Sequence, residues 1–107
     1  MAEPTAAKVV TIINPLGIHL RPADLFVKLA CQFQSAVEIV KNSERFDGKS
    51  VLSMLTLAAV QGTELTIKVT GPDAEQTLSA LVELVDQGFG EMESSGPQSV
   101  PDEKGSG

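Results

Sequence analysis

The stretch Glu64-Leu65-Thr66-Ile67-Lys68-Val69-Thr70 constrains the fold more than any other part of the chain. Leu65, Ile67 and Val69 alternate with Thr66, Lys68 and Thr70. A period of two is the mark of a strand that buries one face and wets the other. A sheet with one wet face accepts helices only on the opposite side, so this chain has to build two layers. The other patterns fit that plan. Residues 8–13 are rich in Val, Ile and Thr and predict a first strand, which Asn14-Pro15-Leu16-Gly17 then breaks. Over residues 20–33 the apolar positions Ala23, Phe26, Leu29, Ala30 and Phe33 recur at three- and four-residue steps, which predicts a helix. Pro22 suits its first turn, where no N–H is needed. Residues 36–41 and 44–47 read as strands joined at Asn42-Ser43, and Ser50 as the N-cap of a short helix over 51–57. Gly71-Pro72-Asp73 marks a turn and a cap. A last helix over 74–87 aligns Leu78, Leu81, Val82 and Val85, with Gly88 closing it.

The expected fold is therefore α+β: a two-layer open-faced β-sandwich of order βαββαβα, a four-stranded antiparallel sheet with its helices packed on one face. Residues 1–7 read as a flexible lead and 8–92 as one domain. Residues 93–107, nearly all Ser, Gly, Pro, Gln, Asp, Glu and Lys, read as a disordered polar tail. One domain within 107 residues implies a shallow site near the surface.

Charge and composition narrow the function. A formal net charge of −6 without Trp or Tyr is poorly suited to nucleic acid, which asks for cations and stacking rings. Apolar runs such as Leu57-Ala58-Ala59-Val60 are far too short to span a bilayer, and no signal-peptide pattern opens the chain, so neither membrane insertion nor export is expected. The single Cys31 excludes an internal disulfide and fits a reducing, cytoplasmic setting; its place in a helical apolar pattern predicts a core position.

His19 is the only histidine. A lone histidine is ordinarily a solvated surface residue, and here the setting gives it meaning. Gly17 permits a sharp turn and Pro22 fixes the start of the helix, which puts His19 at or just before a helix N-terminus. The N–H groups there lack internal partners, and the dipole end favours an anion. Arg21 adds a guanidinium able to grip two phosphate oxygens. Imidazole has an unperturbed pKa of about 6.5, so its nucleophilic free base is abundant at neutral pH. No second His, no Cys pair and no carboxylate cluster at ligand spacing accompanies it; neither a metal nor a cofactor is expected.

These residues resemble a family. Gly17-Ile18-His19-Leu20-Arg21-Pro22-Ala23 is similar to the active-site signature of HPr, the histidine phosphocarrier of the bacterial phosphoenolpyruvate-dependent phosphotransferase system. Gly48-Lys49-Ser50-Val51-Leu52 resembles its regulatory-serine segment, Gln61-Gly62-Thr63-Glu64 with Leu65-Thr66-Ile67 its last strand, and Gly88-Phe89-Gly90-Glu91 a common family ending. The resemblance implies a carrier rather than an enzyme. Enzyme I would phosphorylate His19 at Nδ1, and the group would pass to a histidine of an enzyme IIA domain. Arg21 matches the family's active-site arginine, with Gly17, Leu20 and Pro22 shaping the phosphate site. Leu20 stands where the family usually has a small residue, and Leu16 where it often has a polar one.

The same resemblance marks Ser50 as a target for an HPr kinase/phosphorylase, over and above its role as a cap. Val51, Leu52 and Leu55 are expected to form an apolar docking patch beside His19, rimmed by Lys28 and Lys49, on a monomer. A different reading is a regulatory binding module that acts through Ser50 without transport; the His19–Arg21 pair favours the carrier. A hydrolase built on His19 lacks a nucleophile and base pair.

Overall fold

A computed structural model describes residues 3–91. The chain runs β1 (Thr5–Thr11), α1 (Leu20–Ala30), β2 (Ala36–Lys41), β3 (Glu44–Asp47), α2 (Val51–Leu57), β4 (Glu64–Thr70), α3 (Ala74–Asp86) and a short turn of helix at Gly88–Gly90. The sheet order is β1-β4-β2-β3, with every neighbouring pair antiparallel. β4 thus lies between β1 and β2, and its alternation decides which face of the sheet is inside. Leu65, Ile67 and Val69 are buried, with Val10, Val37 and Ile39 from the adjoining strands. Lys68 lies opposite Ala7 and Glu38 on the wet face. The helices close the other face, contributing Ala23, Phe26, Ala30, Met54, Leu57, Leu81 and Val85 to one core. Among the described residues, no helix is long and apolar enough to cross a membrane.

Four local expectations need correction. The first strand begins at Thr5, so residues 5–7 do not belong to a flexible lead: they pair with Thr70, Val69 and Lys68. Thr5-Ala6-Ala7 has little strand propensity of its own, and the neighbouring strand supplies the reason to extend. That strand also ends at Thr11 rather than at residue 13. α1 stops at Ala30 rather than Phe33, because Cys31 caps it and the chain bends through residues 32–35. Cys31 is exposed, since the residue after Ala30 lies about 100° around the helix from the buried face. The expected polar tail lies outside the described residues.

The start of α3 is tied to the end of α1 by one carboxylate. Asp73 accepts from the Ser35 hydroxyl, from the Gln34 N–H at 3.0 Å and from the Ser35 N–H at 2.9 Å. These donors, the Ser35 hydroxyl foremost, hold its pKa at about 2, down from an ordinary 3.8. A carboxyl whose pKa is lowered by folding stabilises the fold above its unfolded value and loses that contribution as pH falls through the folded one. Asp73→Asn is therefore expected to lower the melting temperature at pH 7 and to flatten the loss of stability between pH 4 and pH 2. Thermal melts followed by circular dichroism at both ends check this, and parallel wild-type and variant pH profiles would contradict it.

Candidate functional site

The loop from β1 to α1 is clamped at both ends by backbone bonds. The Ile12 N–H donates to the Thr63 carbonyl at 2.9 Å, and the Gly62 N–H to the Ile12 carbonyl at 2.7 Å. Further on, the Ile18 N–H donates to the Ala59 carbonyl at 2.8 Å. Gly17 makes this approach possible. Its φ is +69°, and a methyl group there would run into the Ala59 carbonyl oxygen and the Val60 Cα. With Ile18 buried, the next residue has to emerge from the core at the head of α1.

That residue is His19, the N-cap of α1, in extended conformation with no side-chain capping bond. Its carbonyl accepts the first helical bond, from the Ala23 N–H at 3.0 Å. Pro22 has no N–H, so the amides that remain at this end belong to Leu20 and Arg21; neither has a backbone partner among the described residues. The His19 side chain is 39% exposed, open enough for a visiting protein to reach. Arg21 is exposed on the first turn of α1, with no ion-pair partner among the described residues. Leu20, next to it at the start of α1, is 64% exposed.

The ring is held from one edge. Its Nε2 lies 3.1 Å from Oε2 and 3.3 Å from Oε1 of Glu91. Glu91 is in turn tied to Asn14, whose Nδ2 donates to Glu91 Oε1 at 3.0 Å and to the Gly17 carbonyl at 2.7 Å. Asn14 is fully buried, and its Oδ1 has no partner among the described residues, a cost of about 1–3 kcal/mol. Glu91 reaches the ring because Gly88, Phe89 and Gly90 take φ values of +63°, +57° and +75°. Phe89 is 1% exposed and anchors this left-handed turn in the core. A left-handed bulky residue costs roughly 1–3 kcal/mol and persists only where its surroundings impose it. Neither Asn14 nor Glu91 stood out in the sequence as a site residue. The available signal was an aromatic residue between two glycines just past a helix, a pattern suited to an anchored reversal.

α1 and α2 run antiparallel side by side. At one end Ile18 meets Ala59, just beyond α2; at the other, Lys49 Nζ donates to the Phe33 carbonyl at 2.9 Å. α1 is about 16 Å long at 1.5 Å per residue, so Lys49 is committed to the end away from His19. Lys28 pairs with Asp24 at 3.0 Å along the same helix. Neither lysine is brought to the ring. Ser50 caps α2, its hydroxyl accepting from the Ser53 N–H at 3.2 Å, also at the far end. Leu52 is 75% exposed, and Val51 and Leu55 are half-buried. Leu16 and Val60, 76% and 65% exposed, extend the apolar surface on the loops beside Gly17.

The family model described as the PTS HPr component phosphorylation site matches residues 6–87, which take in the His19 loop and nearly all of the sheet and helices. The chain belongs to the HPr family. Membership places it among the phosphocarriers of the phosphotransferase system. The phosphocarrier protein HPr of Neisseria meningitidis serogroup A is 39% identical over 84 residues, which cover 78% of this chain and 94% of that protein. The crystal structure of HPr-C-His from Thermoanaerobacter tengcongensis superposes with a TM-score of 0.79 at 33% identity, over 82% of this chain and 99% of that one. An HPr dimer from the same organism gives a TM-score of 0.66 at 35% identity, over 77% and 94% of the two chains. The four-stranded antiparallel sheet under three helices is the HPr fold.

Proposed function

We propose that His19 is the residue on which this HPr-family chain carries its phosphoryl group. Enzyme I, charged by phosphoenolpyruvate, is the donor to Nδ1, and a histidine of an enzyme IIA domain is the recipient. The observation that carries the reading is the half-exposed ring at the head of α1, with Nε2 facing Glu91 and the Leu20 and Arg21 amides, unbonded among the described residues, close by in the chain. A phosphoryl group on Nδ1 meets those amides, the positive end of the helix and the Arg21 guanidinium, which offset its charge without enclosing it. Gly17 and Pro22 serve by shaping the loop and the helix start. The chain is a carrier, with catalysis shared by its partners in the cytoplasm.

Leu20, Leu52 and the half-buried Val51 and Leu55 make the α1–α2 face apolar enough for a partner that docks and leaves. Incubation with enzyme I and phosphoenolpyruvate should give one acid-labile phosphate, which peptide mapping assigns to residue 19. Label on any other residue, or none, contradicts the reading.

Ser50 is proposed as a modification site for an HPr kinase/phosphorylase. Its phosphate would add about −1.5 to −2 charge on the docking face, at the end of the helix pair away from the ring. The effect should therefore fall on docking rather than on the reactivity of His19. Ser50→Asp is expected to slow phosphorylation by enzyme I roughly tenfold, equivalent to about 1.4 kcal/mol of docking energy, through a higher KM. Initial rates across enzyme I concentrations check this, and equal rates for the two proteins would remove Ser50 from the scheme.

A further inference from the structure

We propose that Glu91 and Asn14 are positioning residues that select Nδ1 as the reacting nitrogen of His19 and balance the charge the ring gains. The proposal rests on the reading of His19 as phosphoryl acceptor. Ionised Glu91 can only accept hydrogen bonds, and both of its oxygens face Nε2, at 3.1 and 3.3 Å. The neutral ring is thereby held with its proton on Nε2 and its lone pair on Nδ1. The two ring nitrogens point away from each other, so the carboxylate is kept off the edge where a phosphoryl group arrives.

The carboxylate is itself held from behind. Asn14 Nδ2 has two acceptors in front of it, the Gly17 carbonyl at 2.7 Å and Glu91 Oε1 at 3.0 Å, which settles the orientation of the amide. Asn14 thus links the backbone turn that presents His19 to the carboxylate that orients it. Burial of Asn14 with an Oδ1 that has no partner among the described residues, and a left-handed Phe89 in the core, are two local costs that meet at this one contact. Local cost concentrated at a reactive group is the pattern expected of positioning.

The covalent step balances without moving a proton. The Nδ1 lone pair forms a bond to phosphorus, while the bond between phosphorus and the donor nitrogen of a phosphohistidine breaks, its electron pair leaving with the donor. The His19 ring becomes a phosphoimidazolium whose Nε2–H already faces Glu91. Transfer onward reverses these changes, and the cationic ring is the better leaving group.

The test uses the full chain, 15N-labelled, with Glu91→Ala, Glu91→Asp and Asn14→Ala. Long-range 1H–15N spectra of the neutral His19 ring should show a pyridine-like Nδ1 and a pyrrole-like Nε2 in wild type. In Glu91→Ala the two nitrogens should move toward each other as the tautomers mix, and Glu91→Asp should restore part of the difference. Phosphorylation by phosphoramidate, which needs no protein partner, should give only Nδ1 product in wild type, and some Nε2 product in Glu91→Ala and Asn14→Ala. Glu91 is the last described residue, beyond the sheet and α3, so its variants keep the test decisive should Asn14→Ala not fold. Unchanged ring shifts together with unchanged product position in Glu91→Ala overturn the proposal. Absence of label on wild-type His19 with enzyme I would instead overturn the carrier reading, and the ring spectra would still be interpretable.

Discussion

His19→Ala is expected to abolish phosphoryl acceptance from enzyme I, a loss of at least about 10³-fold, while leaving the fold in place. On the proposed reading the accepting nitrogen has no substitute, because no other histidine exists in the chain and the only cysteine is at the opposite end of α1. The stability cost should stay within about 1 kcal/mol. The ring is 39% exposed, contributes no side-chain capping bond to α1, and meets Glu91 through a single edge. Rate measurements with enzyme I and phosphoenolpyruvate, set beside a thermal melt, separate the two effects. A variant that still takes up acid-labile phosphate would move the chemistry to another residue.

Gly17→Ala should show the opposite profile, a large loss of stability with the ring itself intact. A left-handed backbone costs an alanine about 1–2 kcal/mol, and the methyl group's collision with the Ala59 carbonyl oxygen and the Val60 Cα adds about 1–3 kcal/mol. The total, about 2–5 kcal/mol, corresponds to a fall in melting temperature of roughly 10–30 °C for a domain of this size. Relief of the clash would also break the Ile18–Ala59 bond, so the residual folded protein should accept phosphate more slowly. Differential scanning calorimetry reads the first effect. A shift of only a few degrees would mean that the loop relaxes more easily than its packing implies.

Most of the fold could be read from local patterns because those patterns coincide with what is buried. The alternation of β4 and the stripe of α3 record which side faces the core, and the Ser50 cap is a contact between residues three apart. The misread places are those where a distant partner decides. Thr5-Ala6-Ala7 become strand because β4 lies alongside them. Cys31 looked internal because the helical pattern was carried one turn past the point where the chain bends. Lys49 looked like a rim residue until the antiparallel packing of the helices sent it to Phe33. At the candidate site, the placement of His19 and Arg21 at a helix start was visible from Gly17 and Pro22. Asn14 and Glu91 were not, since their contact joins residues 77 apart and nothing in either neighbourhood announces the other.

That separation has a consequence during synthesis. The imidazole leaves the ribosome 72 residues ahead of the carboxylate that steadies it. A nascent or clipped chain ending anywhere before Glu91 displays the His19 ring without that contact, however well its sheet has formed. Completion of the final reversal at Gly88–Gly90 is thus the step that brings the two side chains of the candidate site together.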